Sequence, residues 1–169
     1  MRGRFLFTAL FLALLPAAAS AQLSVGVGVG AAIPTGDFGD AVDTGLHFQG
    51  SLNIGLPLLP DLRVDGIYQR YSAGDDANVD ILGGGVNVLL DMPLVVIKPY
   101  IIAGVGYYDV SFDSDLAEDD ASNAEFGFTG GAGVRLGLGR LGVFAEARAL
   151  RIGGDADLTT VPVLVGITF

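Results

Sequence analysis

Cysteine and tryptophan are absent from the 169 residues, and histidine and lysine occur once each, as His47 and Lys98. Without cysteine there is neither a disulfide framework nor a thiolate metal site. A single histidine leaves little for a metallohydrolase or for imidazole-based acid–base chemistry. Basic charge is scarce as well. Nine Lys+Arg stand against 19 Asp+Glu, a net charge of −10, so phosphate is repelled and nucleic acid is excluded as a partner. Hydrophobic runs long enough to cross a bilayer as a helix, about 20 residues, are also missing. The longest uncharged stretch beyond the N-terminal segment, Thr44 to Pro60, contains His47, Gln49, Asn53 and two prolines.

What is present is apolar and glycine-rich: 51% of residues are hydrophobic and 26 are glycine. That is too apolar for a disordered chain. Glycines without a Gly-x-y period exclude collagen and disfavour long helices. One domain fits this length. The first residues stand apart from it. Arg2 and Arg4 form a basic start, Phe5 to Leu15 an apolar stretch too short to span, and Ala19-Ser20-Ala21 a small-x-small cleavage pattern. Residues 1–21 therefore read as a signal peptide cut ahead of Gln22, and residues 22–169 as the exported domain.

Within that domain the apolar residues alternate with polar or small ones. Leu23, Val25, Val27 and Val29 are interleaved with Ser24, Gly26, Gly28 and Gly30; Leu46, Phe48, Leu52 and Ile54 with His47, Gln49, Ser51 and Asn53. Period two is the signature of a strand with two unlike faces. The pattern predicts strands near 23–33, 44–56, 61–73, 78–90, 97–112, 123–138, 141–152 and 157–169. Runs of 10 to 15 residues exceed the ~5–6 usual in soluble sheets and suit tilted strands that cross a bilayer. Eight of them bring both termini to one side.

The connections alternate too. Leu56 to Pro60, Asp91 to Val96 and Gly139-Arg140 carry little charge, whereas the intervening set is acidic: Asp37, Asp40 and Asp43; Asp75 and Asp76; Asp113 to Asp120; Asp155 and Asp157. Short turns at one end and longer, acidic loops at the other match the asymmetry of outer-membrane barrels, in which the loops face outside the cell.

The last strand places Val161, Val163, Val165, Ile167 and Phe169 on one face and ends on the aromatic. A terminal Phe after alternating hydrophobics resembles the C-terminal signal of bacterial outer-membrane barrels. With Lys98-Pro99-Tyr100 leading into the glycine-rich Ala103 to Tyr107 strand, and the late Phe144-Ala145-Glu146-Ala147-Arg148 strand, the domain resembles the small eight-stranded OmpA/OmpX-like outer membrane protein β-barrel family. The resemblance implies an all-β, eight-stranded antiparallel up-and-down transmembrane barrel, monomeric, in contact with outer-membrane lipid and lipopolysaccharide. It also implies that Val163, Val165, Ile167 and Phe169 are the signal read by the barrel-assembly machinery. No cofactor is expected.

Eight strands enclose a lumen just wide enough for side chains to fill it. Opposite the apolar rows lie His47, Gln49, Asn53, Arg63, Asp65, Gln69, Asn87, Glu125, Thr129, Arg135, Glu146 and Arg148. Buried charges must be paired, so Arg63, Arg135 and Arg148 are expected to neutralise Asp65, Glu125 and Glu146 and plug the barrel; a narrow conduction path is the other reading of the same row. Tyr68, Tyr71, Tyr100, Tyr107, Tyr108, Phe112, Phe126 and Phe169 fall near strand ends and read as interfacial girdles.

Three further readings compete with a plugged membrane barrel. A lipid A-modifying barrel enzyme needs nucleophile and base in hydrogen-bond reach. Ser51, four residues from His47 on the same strand face, is about 13 Å away by backbone rise. A calcium site at Asp113, Asp115, Glu118, Asp119 and Asp120 has enough carboxylates, yet lacks the glycine and terminal glutamate of an EF-hand loop, so a solvated rim is expected and no metal. A soluble, lipocalin-like periplasmic or secreted carrier of an apolar ligand would turn the apolar row inward; the hydropathy, the single lysine and the terminal Phe favour lipid outside.

Overall fold

In the computed structural model the described residues are 22–57, 59–73, 77–92, 97–113, 124–138, 141–153 and 158–169. They form eight strands: β1 Gln22–Thr35, β2 Gly45–Gly55, β3 Asp61–Ser72, β4 Asn78–Asp91, β5 Ile97–Asp113, β6 Ala124–Leu138, β7 Leu141–Ile152 and β8 Leu158–Thr168. Each lies within two residues of the span expected from the alternation. Neighbours in sequence pair antiparallel, and β8 returns to β1 to close the barrel. At that seam Val25 and Phe169 exchange backbone hydrogen bonds of 2.9 Å in both directions. The expected leader, residues 1–21, and Asp115, Glu118, Asp119 and Asp120 lie outside the described residues, as does the side chain of Asp113.

The register sets the shape. Hydrogen-bonded neighbours followed round the wall run Val25, Leu52, Val64, Val86, Val105, Phe128, Arg151 and Thr159, and meet β1 again at Thr35, ten residues beyond the start. A stagger of this kind accompanies the ~35–45° strand tilt of closed barrels. The termini and the short turns share one end, the terminal end; the 36–44 and 73–77 connections mark the opposite, loop end.

Strand parity decides what each face meets. The outer row is apolar and exposed, with Leu23 at 67%, Leu82 at 62% and Val165 at 59%. The inner row is buried and mixed. This is the reverse of a soluble carrier barrel and fits a wall surrounded by hydrocarbon.

Two features depart from the sequence expectation. Asp37–Ala41 forms a one-turn helix, α1, after Gly36, whose φ of 65° and ψ of −150° are accessible essentially to glycine alone. It carries Phe38 to Tyr71, edge-on at 5.1 Å between ring centroids. The second concerns the girdles. Tyr71, Tyr100 and Tyr108 are inside the barrel, at most 2% exposed, so the interfacial reading is corrected for these three. Proximity to a strand end says nothing about face. Tyr108 shares its parity with Gly104 and Gly106 on the inner row, whereas Tyr107, Phe126 and Phe169 are on the outer row and exposed. Tyr68 also faces outward, and the Phe112 side chain lies outside the described residues.

Glycine makes room for these lumenal rings. A Cβ on Gly127 would stand 2.8 Å from the Tyr108 ring and one on Gly106 2.8 Å from its hydroxyl; one on Gly83 would collide with the ring itself. The outward Gly50 and Gly130 are different, since a Cβ there meets nothing within 4 Å. Gly83→Val and Gly127→Val are therefore expected to lower stability by about 1–3 kcal/mol through overpacking, and Gly50→Val and Gly130→Val by much less. Urea unfolding of protein refolded in detergent measures this, and equal losses in both sets would contradict the account of glycine as bedding for the rings.

Candidate functional site

The strongest constellation of polar groups in the described residues is the middle of the lumen. Arg63 on β3 and Glu146 on β7 face each other across the barrel, Nη1 to Oε2 at 2.6 Å, with both side chains at most 1% exposed. Arg148, two residues along β7 and on the same face, donates from Nη1 to Asp65 Oδ2 at 2.7 Å, and its Nε lies 2.9 Å from Glu146 Oε1 as an ion pair. Two cations thus meet two carboxylates. Neutral groups complete the layer: Arg63 Nε donates to Asn53 Oδ1 at 2.7 Å, Tyr100 OH donates to Glu146 Oε2 at 2.6 Å, and Arg148 Nη2 donates to Gln49 Oε1. The Arg63 guanidinium also lies 5.6 and 5.8 Å from the ring centroids of Tyr100 and Phe144, where the ring faces favour a cation.

Of the six charged residues expected to form one network, the structure brings together Arg63, Asp65, Glu146 and Arg148. The other two sit ten residues apart on β6, about 33 Å along the strand. Arg135 is at the terminal end, a fifth exposed, 3.5 Å from Asp91 and 3.9 Å from Asp61. Glu125 is near the loop end, across from Tyr108. Both are on the inner row, but the pairing of Arg135 with the central four is corrected: its partners are Asp91 and Asp61. Parity gives the face; it carries no information about height along the axis.

Toward the loop end the lumen changes character, a layer that polar residue counting missed. Ala32, Ile67, Val79, Ile81, Leu150, Ile152 and Leu158 pack around Tyr71 and Tyr108, and Val42 and Phe38 cover them from α1 and its exit. Between this apolar cap and the ionic layer runs a polar chain: Gln69 Nε2 lies 3.0 Å from His47 Nδ1, Tyr71 OH donates to Gln69 Oε1 at 2.7 Å, and Tyr71 and Thr160 share a 2.6 Å hydroxyl contact. The inner-row parity of β3 and β8, odd and even respectively, was the available signal for Tyr71 and Leu158.

The arrangement fills space and balances charge. Against the apolar cap, His47, Tyr108, Thr129 and Arg148 surround a cavity of only about 10 Å³, the room of roughly one water. His47 is fully buried, and its bonded neighbour is Gln69; it faces away from the lipid side of the wall. Groups of three or more His, Asp or Glu able to hold a metal ion are absent among the described residues.

Breaking one partner of a dry ion pair strands the other. Arg63→Met is expected to destabilise the barrel by about 3–5 kcal/mol, and Arg63→Met with Glu146→Gln by clearly less. Paired urea titrations in detergent read the difference; a single variant as stable as the parent would mean that Glu146 is solvated.

The shape is shared with solved outer-membrane barrels. Neisserial surface protein A superposes with a TM-score of 0.67 at 19% identity, over 88% of this chain and 97% of that one. A major outer membrane protein from Thermus thermophilus gives 0.61 at 12% identity, over 89% and 98%. The outer membrane enzyme PagL gives 0.54 at 19% identity, over 85% and 97%. Identities this low speak for the fold alone. No curated protein matches the chain in sequence. The family model for the outer membrane protein beta-barrel domain matches residues 5–169, and with the closed eight-stranded wall already in view the conclusion is direct: the chain belongs to the outer membrane protein β-barrel family.

Proposed function

We propose that the chain is a non-enzymatic outer-membrane barrel whose work is structural or is done at the cell surface by its acidic loops, with a lumen that does not conduct. The observation that carries this is the filled interior: the Arg63, Asp65, Glu146 and Arg148 layer below and the apolar cap under Phe38 above. An ion would have to open buried pairs and then cross hydrocarbon side chains, and each step costs several kcal/mol. The likeness to PagL supports no reaction here. The one histidine is sealed inside, its ring held by an amide, and a lipid at the outer face would not reach it.

The same reading includes export by residues 1–21, cleavage ahead of Gln22, and residence as a monomer among outer-membrane lipid and lipopolysaccharide. Its support is the alternating wall and the apolar outer row. Fractionation followed by electrophoresis of boiled and unboiled samples tests the location. A heat-modifiable band in the outer membrane is expected, whereas a soluble periplasmic protein would overturn the reading. Planar-bilayer recordings test the plug. Little or no conductance is expected, and large steady wild-type channels would replace the plugged barrel with a porin.

Assembly is the second part of the proposal, with Val163, Val165, Ile167 and Phe169 as the segment read by the barrel-assembly machinery. These side chains face outward and are exposed, so a partner can reach them before lipid does. Phe169 also closes the seam through its backbone. Removing the residue cuts both roles, but Phe169→Ala keeps the backbone bonds and removes only the ring. Phe169→Ala should lower the assembled fraction in cells far more than it lowers stability in detergent; wild-type assembly in cells would leave the ring as an interfacial anchor only.

A further inference from the structure

His47 is a lumenal group whose bonding is incomplete. Its ring is 0% exposed, Nδ1 faces the Gln69 amide nitrogen at 3.0 Å, and Nε2 has no hydrogen-bond partner among the described residues. Gln69 Oε1 is already taken by the Tyr71 hydroxyl, which leaves the amide N–H to donate to Nδ1. An imidazole nitrogen that accepts cannot carry the ring proton, so the proton resides on Nε2. His47 is also one of the residues that line the small cavity, with Tyr108, Thr129 and Arg148 on the polar side and Ile67, Leu150 and Pro162 on the other.

The cavity has one donor to satisfy and groups able to do it through an intermediary. Thr129 gives its hydroxyl proton to Asn87 Oδ1 at 2.8 Å and retains a lone pair. Arg148 donates two N–H groups, to Asp65 and Gln49, out of the five on a guanidinium. A buried N–H without an acceptor costs about 1–3 kcal/mol. A volume of about 10 Å³ admits a single water and nothing larger, and two to four polar partners are what an internal water requires. We propose that this cavity is a specific site for one water molecule, which accepts the Nε2–H of His47 and donates to Thr129 Oγ1. The water joins the chain from Thr160 through Tyr71 and Gln69 to His47 with the Thr129 and Asn87 pair. The apolar lining keeps a second water out.

Because the chain has one histidine, labelling histidine with nitrogen-15 yields a single imidazole in the spectrum of the whole protein refolded in detergent. The expected result is an unprotonated Nδ1, a directly bonded proton on Nε2 that survives exchange with solvent, and cross-relaxation from that proton to a long-lived water. Thr129→Val, which removes the acceptor and keeps the volume, should abolish the water cross-peak while the Nε2 proton remains. A proton on Nδ1, an imidazolium, or a protected Nε2–H with no water cross-peak would each overturn the site. An Nε2 proton lost to bulk solvent at once would instead mean an open lumen, and would overturn the closed-barrel reading along with it.

Discussion

Hydrocarbon offers a backbone no hydrogen-bonding partner, and this single constraint organises the molecule. A sheet can meet it only by having no edge. The seam between β1 and β8, running from Gly26 and Thr168 to Thr35 and Thr159 and finished by the reciprocal bonds of Val25 and Phe169, is therefore a condition for every other strand to sit in the membrane at all. Closing eight strands then fixes a narrow interior, and the alternation of side chains gives half of the residues to it. Lipid outside, a packed lumen inside and a fixed stagger all follow from satisfying the peptide groups.

The narrow interior explains the chemistry found there. Guanidinium groups are long enough to reach across the barrel, and Arg63 and Arg148 do so to Glu146 and Asp65 on strands four apart in chain order. Such pairs tie opposite walls together, which neighbouring-strand contacts cannot do. They also carry a desolvation cost that apolar packing would not. The loop-end half uses the less costly solution: Ile81, Leu150, Ile152 and Leu158 around Tyr71 and Tyr108. Phe38 caps it because a barrel mouth lined with hydrocarbon would otherwise meet water.

Much of this was legible in the amino-acid order, and the reason is the fixed period of a strand. Once Val25, Val27 and Val29 are assigned to lipid, Gly26 and Gly28 have nowhere to go but inward, and the same logic puts Arg63, Asp65, Glu146 and Arg148 in the lumen. Height was not legible. Whether Arg135 meets Asp65 or Asp91 depends on inter-strand register, which the stagger of the whole barrel determines and no single strand encodes. The aromatics failed for a related reason. Tyr100 and Tyr108 lie near strand ends, where an amphipathic ring fits an interface, but their inward parity and the glycines opposite them, Gly133 and Gly83, decide otherwise. The turn of helix at Asp37–Ala41 had no periodic signal, being a single turn set by a glycine at positive φ and by the burial of Phe38 against Tyr71.

A filled interior restricts where partners can act. The central carboxylates are bonded to arginine or tyrosine, the lone histidine is enclosed, and the described wall presents chiefly Val, Leu, Ile, Phe and Ala to lipid. The surfaces left for recognition are the loop end and its rim, where Arg70 and Asp80 pair in the open at 2.6 Å beside Tyr68. Exposed pairs of this kind contribute little to stability, so residues there can change without loss of the fold. In contrast, a change of charge at Arg63 or Glu146 is felt by the entire wall. The barrel thus separates two requirements: the residues that hold opposite walls together are in the lumen, whereas the exposed pair at the loop-end rim is not among them, and of the described loop-end residues Phe38 and Val42 are the ones that reach the lumenal cap.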